Sequence, residues 1–109
     1  MTVRRVASVI GLPAEGAAEY ERLHADVWPA VLAQIARSNI RNYSIHRFGE
    51  LLFSYYEYVG DDLDADLAAM AGDPETQAWW ALCEPLQRPV ADAAEGEWWH
   101  PLREVFHVD

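Results

Sequence analysis

Cysteine occurs only once in this 109-residue chain, at Cys83. No intrachain disulfide can form, so the fold must hold without a staple. A chain that needs no oxidised pair fits a reducing compartment, and the cytoplasm is the expected location. Basic residues are also scarce: 8 Lys and Arg stand against 18 Asp and Glu, for a net charge of −10. Nothing in the chain forms the basic patch that a phosphate backbone or an anionic bilayer requires, so neither nucleic acid nor a membrane is an expected partner. No apolar run approaches the length of a membrane span. The N-terminal stretch to Leu12 carries Arg4 and Arg5 and then a short apolar run closed by Pro13, unlike the apolar core of a secretion signal. A glycine-rich phosphate loop, a nucleophile elbow and a paired-cysteine motif are all missing. His24, His46, His100 and His107 form no i, i+4 pair and have no nearby acidic pattern, so no metal and no cofactor is expected.

What the chain has in abundance is aromatic rings, five Trp and five Tyr. Three of them mark the stretch around which the rest is organised. Tyr20, His24 and Trp28 are spaced four apart and share one face of a helix. Leu23, Val27, Val31, Leu32 and Ile35 extend that stripe, which makes it the inward side of an amphipathic segment. Pro29 removes a backbone donor and pushes Trp28 out of helical angles. The helix is therefore expected to break near Asp26 to Trp28 and restart with Pro29 at its first position, running to about Arg37.

Around this stretch the periodicity gives a simple order. Val3 to Leu12 is a strand, followed by the helix from Glu15. Ile40 to Phe48 and Leu51 to Val59 are strands joined at Gly49-Glu50, an antiparallel hairpin. Asp61 or Asp62 caps a helix with a Leu63, Leu67, Met70 stripe. Asp73 as N-cap and Pro74 at the first position start another, Glu75 to Leu86. Gln87 to Glu97 is a loop, and Leu102 to Val108 is a final strand. Strand, helix, strand, strand, helix, strand is the ferredoxin-like order of an α+β fold, a four-stranded antiparallel sheet with helices on one face. Residues 1–109 form one domain in this reading. Its bare sheet face, rich in aromatics, is expected to pack on a second copy as a dimeric α+β barrel.

His24 is a titratable imidazole between aromatic walls, suited to general acid–base work; a satisfied core histidine fits the same spacing. Tyr43, in a strand, either packs or offers its hydroxyl to a ligand. The tandem Trp79-Trp80 points two indoles about 100° apart, so the pair is either a pocket wall or a helix buried on two sides. Trp98-Trp99 read as a hydrophobic lid or an intersubunit contact.

Taken together, Glu19-Tyr20-Glu21-Arg22-Leu23-His24, Trp28-Pro29, Asn42-Tyr43-Ser44-Ile45, Leu51-Leu52-Phe53, Gln77-Ala78-Trp79-Trp80 and the closing Pro101 to Asp109 resemble the L-rhamnose mutarotase family. The resemblance covers nearly the whole chain in order. It implies a ferredoxin-like homodimer paired through its sheet faces, without cofactor, that interconverts the α and β anomers of a 6-deoxy hexose. It further implies that His24 is the proton donor and that Tyr20, Tyr43, Trp79 and Trp80 line the sugar site. The chain departs from the family pattern in the loop from Gln87 to Gly96 and at His46, where an aromatic is common; both are expected to reshape the pocket. Cofactor-free monooxygenases and polyketide cyclases use the same barrel, and a non-catalytic sugar-binding module is a third alternative.

Overall fold

The computed structural model describes residues 2–109. The chain runs β1 (Arg4–Gly11), α1 (Ala14–His24), α2 (Pro29–Arg37), β2 (Ile40–Phe48), β3 (Leu51–Tyr58), α3 (Leu63–Ala71), α4 (Pro74–Cys83) and β4 (His100–Pro101). The four strands form one antiparallel sheet in the order β2-β3-β1-β4, the ferredoxin-like topology. The breaks fall where the local chemistry demands them. Trp28 is extended and Pro29 opens α2. Asp62 accepts from the Ala65 amide to cap α3, and Asp73 accepts from the Thr76 amide to cap α4, which Pro74 begins. α1 has no side-chain cap of its own; instead the Ala14 amide donates to the Glu50 carboxylate, 3.2 Å away across the fold.

The core lies between one sheet face and the helices. Ile10 and Leu52, paired across β1 and β3, meet Tyr20 of α1, Val31 of α2, and Trp79 and Cys83 of α4. Among the described residues no helix is long and apolar enough to cross a membrane.

Two expected boundaries change. The fourth helix stops at Cys83, and Glu84–Leu86 tighten into a single 3-10 turn, because Pro85 has no amide hydrogen to continue the ladder. The last strand is not Leu102 to Val108. It is His100–Pro101, paired with Val9 and Ser8, followed by a single further bond in which the Leu102 amide donates to the Ala7 carbonyl at 2.8 Å. Beyond that the chain is tethered by the Arg5 guanidinium on Glu104, at 2.7 and 3.1 Å, and not by a ladder. Val105, Phe106 and Val108 remain 82%, 79% and 73% exposed. Strand propensity measures fit to a pleated neighbour, and these residues have no such neighbour.

A β-bulge in β2 sets which side chains reach the core face. Arg41 pairs with Glu57 and Ser44 with Tyr55, so Asn42 and Tyr43 together stand opposite Tyr56. The extra residue is accommodated by a left-handed backbone at Asn42, φ 50°, a conformation that Asn tolerates better than most. Its amide is held by the Glu57 carboxylate at 2.7 Å. The alternation inverts at the bulge. Ile40 is buried before it, and after it Tyr43 and Ile45 face the helices while Ser44 and His46 face away.

Truncating Ile10, which is fully buried at the centre of this layer, should lower the unfolding free energy of Ile10→Ala by about 2–5 kcal/mol, measured by urea denaturation. A loss of under about 1 kcal/mol would show that the core is not centred there.

Candidate active site

α1 carries His24 at its last residue, one turn beyond Tyr20. The two rings stack, with centroids 4.1 Å apart. His24 meets Trp79 edge-on at 5.2 Å, and Trp79 meets Trp28 edge-on at 5.3 Å. Helix spacing, the break at Pro29 and α4 thus build one continuous stack: Tyr20, His24, Trp79, Trp28.

The protonation of His24 follows from its partner. Its Nδ1 lies 2.8 Å from the Tyr20 carbonyl oxygen. A carbonyl only accepts, so Nδ1 carries the hydrogen and the neutral ring presents a bare Nε2. Burial lowers the His24 pKa, and the bond to the Tyr20 carbonyl partly offsets it. The half-buried neutral imidazole therefore accepts a proton at Nε2 and becomes a donor only after taking one.

Tyr20 is 3% exposed, and burial holds its hydroxyl protonated well above the usual tyrosine range, with the neighbouring Tyr43 adding to the shift. Tyr43 is 43% exposed, and its ring packs against Tyr56 at 5.7 Å. Its hydroxyl end lies in dense surroundings that push its pKa up to about 12. Tyr43 lines an open cleft of about 260 Å³ with Tyr56, Trp99, Ser54, Ser8 and Pro101. Ser8 and Ser54 face one another across β1 and β3, with their hydroxyl oxygens 2.6 Å apart. Trp99 also packs against the core cluster that holds Tyr20 and Trp79, which makes it common to the cleft and the core.

The predicted residues are thus brought together unequally. Tyr20, His24 and Trp79 touch. Tyr43 makes no ring contact with them; it packs on Tyr56 and raises the Tyr20 pKa from nearby. Trp79 is 5% exposed and serves as a wall behind His24; Trp80 is half-buried against the same cluster without a ring contact to it. His46 does not reshape the cleft, because the bulge turns it to the opposite sheet face, where it bonds Ser44 at 3.1 Å. Ser8, Ser54, Tyr56 and Gln87 were not anticipated. The two serines and Tyr56 were accessible in principle, since each shares strand parity with Ile10 or Leu52. Gln87 had no signal, being one polar residue in an irregular loop. Among the described residues, no group of His, Cys, Asp and Glu is arranged to hold a metal. The arrangement offers one proton acceptor, phenolic and serine hydroxyls, and apolar ring faces without a charged group among them, a set suited to a neutral polyol.

The sequence matches the L-rhamnose mutarotase family model over residues 5–108. It is 37% identical to an L-fucose mutarotase from Xanthomonas campestris pv. campestris, over 97% of this chain and 89% of that protein. It is 39% identical to an L-rhamnose mutarotase from Opitutus terrae, over 96% of this chain and 98% of that protein. The fold matches the crystal structure of an L-rhamnose mutarotase from Formosa agariphila with a TM-score of 0.76 at 21% identity, covering 97% of this chain and 99% of the other.

A reaction that begins at the bare Nε2 needs neutral His24. Because burial depresses that pKa, the rate should hold as pH falls to the ordinary histidine value of about 6.5 and decline only below it. An acid limb with its midpoint above that value, in a pH–rate profile of kcat/KM, would contradict the assignment of the bare nitrogen.

Proposed function

The chain belongs to the L-rhamnose mutarotase family, isomerases that interconvert sugar anomers, and from that premise we propose that its substrate is a 6-deoxy hexose, L-rhamnose first. The observation that carries this reading is the family match over residues 5–108. The relative that acts on L-fucose makes that sugar the competing substrate. Both sugars present a methyl group and an apolar ring face to aromatic walls, and hydroxyls to Ser and Tyr donors.

Anomer exchange requires the ring to open and reclose. His24 Nε2 takes the proton of the anomeric hydroxyl. The freed electron pair forms the aldehyde C=O as the bond from C1 to the ring oxygen breaks, and the imidazolium gives its proton to that oxygen. The aldehyde turns, and the reverse steps close the ring on its other face. His24 is thus the donor to the ring oxygen, after serving as acceptor. The reaction proceeds unaided in water, so one positioned acid–base group worth roughly 10²–10⁴-fold is enough. Tyr20, Tyr43 and the indoles of Trp79 and Trp80 orient the sugar, with Trp99 as a further wall. His24→Ala should remain folded by circular dichroism and lose about 10²-fold or more in rate, read by NMR saturation transfer between the anomeric protons of L-rhamnose. Near-normal exchange in that variant would remove His24 from the mechanism.

The working form is a homodimer paired through the sheet faces. Phe53 and Tyr55 of β3 and Val9 and Ala7 of β1 share the face that the helices do not cover. A reduced, buried Cys83 is consistent with a cytoplasmic location. Phe53→Glu should convert a particle of twice 12.4 kDa into a monomer in sedimentation equilibrium. A wild-type protein that sediments as a monomer would refute the pairing.

A further inference from the structure

Two side chains from the far end of the chain, Gln87 and Trp98, meet behind Tyr20. The Trp98 indole Nε1 lies 2.8 Å from Gln87 Oε1, and Gln87 Nε2 lies 3.3 Å from the Tyr20 hydroxyl oxygen. An indole N–H can only donate. The Gln87 oxygen must therefore face Trp98, which leaves the amide N–H₂ for Tyr20. An amide nitrogen can only donate, so the Tyr20 oxygen accepts and its own hydrogen is left for something else. No hydrogen bond from that hydroxyl is made to any other described residue.

Gln87 is itself fixed in place. Its neighbour Arg88 exchanges two backbone hydrogen bonds with Gly11, at 2.7 and 2.9 Å. That docking requires glycine, because a Cβ at position 11 would lie 2.7 Å from the Arg88 carbonyl oxygen.

We propose that Trp98 and Gln87 are positioning residues that pole the Tyr20 hydroxyl, so that its hydrogen points at the bound sugar and steadies the negative charge that develops on the ring oxygen as the ring opens. This inference rests on the mutarotase reading. His24 carries the proton; Tyr20 stays protonated throughout and only donates a hydrogen bond. The directionality is set at Trp98 and passes through one amide, because each link can donate in a single direction.

The relay makes a prediction of inverted order. Gln87→Glu keeps the shape and still accepts from Trp98, but its carboxylate also accepts from Tyr20 and draws the hydroxyl hydrogen away from the sugar. Gln87→Met fills similar space with no strong partner and leaves that hydrogen free. The relay therefore expects Gln87→Glu to lose about tenfold or more in kcat, with KM within about twofold, and Gln87→Met to lose less. A packing role for Gln87 expects the reverse order. Trp98→Phe, at a partly exposed position where loss of folding is not expected, removes the fixed donor alone and should lower kcat several-fold at unchanged KM. Exchange is measured by NMR saturation transfer on L-rhamnose and L-fucose, with thermal unfolding confirming that each variant is folded. Gln87→Glu as active as Gln87→Met, or Trp98→Phe with wild-type kcat, overturns the relay while the wild type still accelerates exchange. A wild type that accelerates neither sugar overturns the mutarotase reading and the relay with it.

Discussion

At Asn42 the backbone of β2 turns left-handed, and two residues of that strand face one residue of β3. The rest of the cleft follows from that insertion. A strand without it would send Asn42, Ser44 and His46 to the core face behind Ile40 and would put Tyr43 and Ile45 on the outer face. With it, a phenol and a branched aliphatic enter beside Tyr56 and Leu52, and a histidine leaves. The local backbone strain is held by a side chain: the Asn42 amide and the Tyr55 hydroxyl each bond one oxygen of Glu57. Burial and neighbouring acids move many groups in this protein, but the bulge decides which groups are present to be moved.

Tyr20 then joins the helix layer to the chemistry from both of its ends. Its backbone carbonyl fixes which nitrogen of His24 carries hydrogen, and its ring stacks on that imidazole. Its hydroxyl accepts from Gln87 and stays protonated, free in the proposed mechanism to donate to the sugar. In the proposed mechanism one residue thus separates the proton acceptor from the hydrogen-bond donor. The one charge that this mechanism forms is the transient imidazolium of His24, in a reaction whose uncatalysed rate is already appreciable.

Much of the frame was legible along the chain. Pro29 and Pro74 mark helix starts because their missing amide is not needed there, and Asp62 and Asp73 cap where an Asp can bond the third amide onward. The spacing of Tyr20, His24 and Trp28, each four apart, places them on one face. Leu102, Val105, Phe106 and Val108 have the composition of a strand, yet a strand exists only where a neighbouring backbone pairs with it. Adjacency in sequence pairs Trp80 with Trp79, whereas α4 turns only Trp79 toward His24.

The sequence by itself determined the element order, the helix break and the sheet topology, which follow from local backbone chemistry and the period of apolar residues, and its motifs carried the family resemblance. Only the tertiary structure decided which face Tyr43 and His46 occupy, that Ser8 and Ser54 meet, and that Gln87 reaches Tyr20. Those depend on strand register and on contacts between residues 46 and 67 positions apart. A one-residue bulge reverses strand parity, and the direction of a hydrogen bond is fixed only when donor and acceptor have been brought face to face.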